Sequence, residues 1–202
     1  MNYLGHLLLA GDRPDDLLGN LMGDFVKGPI DGQVPACYQP GVLLHRRVDS
    51  YTDGHASVCA VRRRFPPGSR RFSGIIVDLW FDHLLALRWD TLHDEPLESF
   101  AARVYDLLRE RWGELPQRMQ RGMAFTIRND LLVGYRHTET VVRALDGIGR
   151  RLRRPVKLGA MAGPLVDGSL DVRREFDVFL PDLIQFAATE REWGNDGGND
   201  GP

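Results

Sequence analysis

Seven residues of this chain are of the types that hold a hard cation: His6, Asp24, His45, Asp49, Asp78, Asp82 and His83. Each reads as lying on an apolar helix face. Asp78, Asp82 and His83 stand at i, i+4 and i+5 among Ile75, Ile76, Val77, Leu79, Trp80, Phe81, Leu84 and Leu85. In a helix the two carboxylates point the same way, with His83 one residue-step further round. His45 and Asp49 repeat the i, i+4 spacing, His6 lies within the apolar residues 4–9, and Asp24 falls between Met22 and Phe25. Carboxylates are rarely buried without compensation, and a shared divalent cation compensates several at once. Carboxylates and imidazoles without thiolates favour Mn²⁺, Mg²⁺ or Fe over structural zinc. Such an ion lowers the pKa of a bound water and clamps a phosphoryl oxygen. Phosphodiester hydrolysis needs both, plus a guanidinium on the non-bridging oxygens, for which Arg46 and Arg47 are candidates.

Taken singly, each residue has a plainer explanation. His6 would be a satisfied core histidine, Asp49 a partner of Arg46 or Arg47, and His83 a cap on a neighbouring helix. Taken together they converge on one metal site.

These groups need elements to hold them, and apolar residues recur at helical spacing almost throughout. The pattern predicts a short helix over residues 4–9. A second opens at Asp15-Asp16 and ends at Gly28-Pro29, and a third runs over residues 38–52. After a break the chain continues helical over residues 54–64, until Pro66-Pro67-Gly68. Residues 70–90 read as one long buried helix. Pro96 and Pro116 open two more, residues 135–152 form another, and residues 170–191 close the fold with Phe176, Phe179, Leu183 and Phe186 on one face. Period-two alternation is nowhere sustained. The expectation is an all-α, single-domain helical bundle over residues 1–191, followed by a disordered Gly/Asn/Asp tail over residues 192–202.

A 202-residue chain with 43% apolar and 27% charged residues suits one soluble domain. The net charge of −2 and the shortness of the arginine clusters argue against nucleic acid as a partner. No run is long enough to span a membrane, and Cys37 and Cys59 lack metal-type spacing, so a reduced cytoplasmic protein is expected. Arginine concentrates locally at 46–47, 62–64, 70–71 and 150–154, and such patches steer acidic partners.

Four ordered blocks carry a family resemblance: Met1 to Leu7, Gly19 to Gly28, His45 to Asp53, and Asp78 to Leu84. Together they resemble the acyl-carrier-protein phosphodiesterase (acyl carrier protein hydrolase) family over roughly the first 90 residues. The later stretch from Asn129 to Leu152 matches more loosely, with Leu131 where Trp is expected. The resemblance implies a helical fold related to the HD-domain phosphohydrolases and dependence on Mn²⁺ or a similar ion. It also implies hydrolysis of the phosphodiester joining 4′-phosphopantetheine to the serine of holo acyl carrier protein. Asp24 matches the position most closely tied to catalysis, although Gly23 precedes it and no adjacent His-Asp pair stands there. The implied metal is held by Asp24 with some of His6, His45, Asp78, Asp82 and His83. Arg46 or Arg47 holds the phosphoryl oxygens, and Asp49 or Asp82 orients the water or a histidine. The acidic carrier would dock on Arg62, Arg63, Arg64, Arg70 and Arg71. Two alternatives stay open: an HD-type nucleotide phosphohydrolase, and a non-enzymatic helical protein that binds an acidic partner.

Overall fold

A computed structural model describes residues 1–196, and among them the regular structure is helix without strand. In chain order the helices are α1 (Tyr3–Ala10), α2 (Pro14–Met22), α3 (Gln39–Gly54), α4 (Ala56–Arg64), α5 (Pro67–Arg70) and α6 (Ser73–Arg88). They continue with α7 (Leu97–Glu110), α8 (Gln117–Arg128), α9 (Leu131–Gly134), α10 (Thr138–Arg151), α11 (Leu158–Met161), α12 (Gly163–Val166) and α13 (Arg173–Asp196). All but α5 contribute to one hydrophobic core, and the described residues form a single all-α domain.

Three helices near the N-terminus build the site. Helix α1 is buried on nearly all sides, as its almost wholly apolar sequence requires. Asp82, in the middle of α6, fastens its start by accepting from the backbone N–H groups of Asn2, Leu4 and Gly5 at 2.8–3.1 Å. A carboxylate there satisfies donors that a helix N-terminus leaves unpaired. Helices α2 and α3 cross closely because both carry glycine at the contact. A Cβ at Gly19 would stand 2.3 Å from the Tyr38 carbonyl oxygen, and one at Gly41 would stand 2.6 Å from the Asn20 nitrogen.

The structure departs from the sequence expectation in three places. Helix α2 stops at Met22 rather than near Gly28, because Phe25 and Val26 both donate to the Met22 carbonyl and turn the chain. Asp24 therefore sits in a turn, not on a helix face. The long central helix starts at Ser73, since Arg71 and Phe72 form a turn after α5, with the Phe72 N–H on the Ser69 carbonyl. Helix α13 carries through residues 192–196, which were expected in the tail, while the rest of that expected tail, residues 197–202, lies outside the described residues.

Candidate metal centre

Helix α1 brings His6, helix α3 brings His45 and Asp49, and the turn after α2 brings Asp24. His6 Nε2 lies 3.2 Å from Asp49 Oδ1, and His45 Nε2 lies 3.2 Å from Asp49 Oδ2. Asp24 Oδ1 is 3.6 Å from the same His45 nitrogen. The two imidazoles stack at 3.8 Å with 16° between their planes. One ligand atom each from His6, His45 and Asp49 fall within 4.8 Å of one another. Both histidines are buried, while the side chains of Asp49 and Asp24 are about half exposed, so the centre opens toward solvent on its carboxylate side.

Asn20, on α2, faces the back of the first histidine. His6 Nδ1 lies 3.0 Å from Asn20 Oδ1. With its amide oxygen toward the ring, Asn20 accepts from Nδ1–H, and that tautomer leaves Nε2 as a lone pair aimed at Asp49. A lone pair facing a carboxylate is repulsive unless a cation stands between them. Burial, the neighbouring His45 and the Met1 ammonium hold the His6 pKa down to about 4 despite Asp49, so a proton does not fill that role near neutrality. Burial also disfavours the charged form of His45. Its bonds to Asp24 and Asp49 outweigh that effect and raise its pKa to about 9. Those contacts in turn hold both carboxylates below their usual range, against the upward push of burial. Among the described residues no lysine or arginine lies within salt-bridge distance of Asp24 or Asp49. Two carboxylates thus share one imidazolium, and the donor set fits a divalent cation.

The other expected residues are engaged elsewhere. Asp82 spends both oxygens on the start of α1, and burial, against the Met1 ammonium and the three backbone N–H groups, pushes its pKa up to about 7. Asp78 accepts from the Met1 ammonium at 3.3 Å, with Arg62 at 4.0 Å. His83 bonds through Nδ1 to the Tyr135 carbonyl at 2.7 Å and packs on Trp80. Arg46 donates to the Val26 carbonyl, and Arg47 pairs with Glu190 on another face. Arg62 is paired with Asp53 and Arg64 with Glu175, whereas Arg63, Arg70 and Arg71 are exposed.

A cavity of about 580 Å³ lies over the carboxylate side of the centre. Asp24, Asp49, Asp53 and Asp78 line it, together with an apolar wall that includes Ile75, Leu79, Leu131 and Ile148. Arg150 and Arg151, at the end of α10, also line it. The Tyr3 phenol lies in the fields of Asp24 and Arg151. Burial and Asp24 raise its pKa to about 12, and Arg151 opposes them. Sequence reasoning assigned no role at the site to Asn20, Tyr3, Arg150 or Arg151. Asn20 did carry a signal, as a lone amide on the apolar face of α2. The arginines carried one too, as the densest basic cluster of the second half.

A family profile described as acyl carrier protein phosphodiesterase matches residues 1–183. A protein of that name from Photorhabdus laumondii subsp. laumondii is 36% identical over 168 residues, covering 83% of each chain. Another, from Pectobacterium atrosepticum, is 33% identical over 196 residues, covering 95% of this chain and 100% of the relative. A third, from Klebsiella pneumoniae subsp. pneumoniae, is 35% identical over 195 residues with the same coverage. No solved structure matches this chain.

Proposed function

This chain belongs to the acyl carrier protein phosphodiesterase family, a family of hydrolases, and we propose that it releases 4′-phosphopantetheine from holo acyl carrier protein with the help of a divalent metal. The observation that carries this reading is the convergence of His6, His45, Asp49 and Asp24 beneath a cavity that Arg150 and Arg151 also line.

The reaction adds water across the bond between phosphorus and the carrier serine oxygen. The water oxygen joins phosphorus, a proton ends on the serine, and the arm leaves as a phosphomonoester. His6 Nε2, His45 Nε2 and Asp49 would hold the metal, with Asp24 at the open edge. Mn²⁺ suits a set that mixes imidazole with carboxylate, and Fe²⁺ or Mg²⁺ are the nearest substitutes. When bound, the ion supplies Lewis acidity at a phosphoryl oxygen and a water acidic enough to ionise near neutrality. Asp24, half exposed at the open edge of the centre, takes the proton of the attacking water. Arg150 and Arg151 meet the non-bridging oxygens, a role that Arg46 and Arg47 cannot fill while bound to Val26 and Glu190. The wall of Ile75, Leu79, Leu131 and Ile148 restricts bulk water around the reacting group.

No helix among the described residues is long and apolar enough to cross a membrane. Cys37 and Cys59 are unpaired, which agrees with work in the reducing cytoplasm. The test is to incubate the protein with holo acyl carrier protein and Mn²⁺ and weigh the carrier by mass spectrometry. Loss of the phosphopantetheine mass, blocked by chelator and by Asp49→Asn, is the expected result. An unchanged carrier with every divalent ion tried overturns the reading and leaves nucleotide hydrolysis or simple binding as the alternatives.

A further inference from the structure

The solvent face of α8 carries a basic stripe that hydrolysis itself does not use. Arg118, Arg121, Phe125 and Arg128 follow one another at spacings of three, four and three, so they share one side of the helix. All four are exposed, while Met119, Met123 and Thr126 bury the opposite side. At 1.5 Å per residue the stripe runs for roughly 15 Å, close to three helical turns. Phe125 is 51% exposed, a large apolar group left uncovered between guanidinium groups, and it also lines the cavity.

Charge distinguishes this stripe from the arginines whose charge is already neutralised. Arg62, Arg64, Arg88 and Arg103 each hold a carboxylate. Among the described residues Arg118, Arg121 and Arg128 hold none. Arginine and aromatic side chains are the groups enriched where proteins bind one another, and unneutralised charge speeds and orients the encounter with an opposite field. The stripe reaches the cavity through Phe125, whereas the other exposed patch, Arg63, Arg70 and Arg71, contributes no residue to its lining.

We propose that the Arg118–Arg121–Phe125–Arg128 stripe is the docking surface for an acidic protein helix beside the cavity. On the reading given above, that helix belongs to the carrier. The carrier meets α8 first, its acidic side chains pair with the three guanidinium groups, and Phe125 packs against its apolar ridge. Docking at this rim sets the arm-bearing serine over the cavity.

The test uses apo acyl carrier protein, which has no arm to cleave, so that docking is measured apart from hydrolysis. Fluorescently labelled carrier is titrated with the wild type, with the triple variant Arg118→Glu/Arg121→Glu/Arg128→Glu, and with Arg63→Glu/Arg70→Glu/Arg71→Glu. Circular dichroism checks that all three are folded. The stripe variant should bind at least ~10-fold more weakly, the other variant within about twofold of wild type, and added salt should weaken only the wild type and the second variant. Equal binding by the stripe variant, a matching loss in the other variant, or no binding of apo carrier by the wild type overturns the proposal. Because nothing is turned over, docking at α8 stands if the carrier binds there and holo carrier nevertheless proves not to be cleaved.

Discussion

The ring of His45 occupies the space that a side chain at residue 23 would need. A Cβ on Gly23 would come within 2.1 Å of His45 Cγ. The glycine therefore serves the second histidine of the centre rather than the turn alone. Gly23→Ala should push the imidazole away from Asp24 and Asp49 and weaken Mn²⁺ binding at least ~10-fold, as disturbing groups that orient a ligand does. Calorimetric titration with Mn²⁺ checks this, and an unchanged affinity would show that His45 does not hold the ion.

Asn20 should matter through the tautomer of His6. Replacing it by Ala removes the acceptor at Nδ1 and lets the proton move to Nε2, where it competes with the metal. The expected loss in Mn²⁺ affinity is roughly 10- to 100-fold. The ¹⁵N shifts of His6 should change tautomer in the metal-free variant, which a loss of packing alone would not produce.

Metal binding at pH 7 should release about one proton rather than two. His45, with its pKa raised to about 9, is charged there and must lose its proton to ligate, whereas His6, lowered to about 4, is already neutral. Affinity should therefore climb as pH rises toward 9 and level off above it. Titrations in buffers of different ionisation enthalpy count the protons directly, and a count near zero would remove His45 Nε2 from the ligand set.

Asp82 has a structural part that stability measurements can separate from chemistry. Its pKa of about 7 in the folded protein lies above its ordinary value of 3.8. The folded state thus holds this proton more tightly than the unfolded state does. The resulting stabilisation is full below about pH 4 and disappears as pH rises through about 7. Asp82→Asn should lack this slope when unfolding is followed between pH 4 and 8. Asp82→Ala, which strands three backbone donors, should cost about 2 kcal/mol or more. Mn²⁺ affinity per folded molecule should change little in Asp82→Asn.

The helices could largely be read from the sequence because their apolar faces repeat at helical spacing and Pro66, Pro96 and Pro116 mark their ends. The pairing of His45 with Asp49 could be read for the same reason, since i, i+4 on one helix places two side chains together without tertiary information. The separation of Asp78, Asp82 and His83 from that pair could not. Spacing places Asp78 and Asp82 on one face of α6 but does not reveal that the face meets the start of α1, whose free N–H groups and Met1 ammonium take up both carboxylates. Arg46 and Arg47 are adjacent to His45 in sequence, yet successive helical residues diverge by about 100°. That rotation sends one to Val26 and the other to Glu190. Arg150 and Arg151 reach the cavity only because α10 ends beside it, a fact of packing that no local pattern carries.

The most direct test of the account is to locate the ion. Crystals grown with Mn²⁺ and measured near the manganese absorption edge should show an anomalous peak within coordination distance of His6 Nε2, His45 Nε2 and an Asp49 oxygen. That peak is the predicted result. A peak at Asp78 and Asp82 with none at the histidines would contradict the account and move the chemistry to the start of α1.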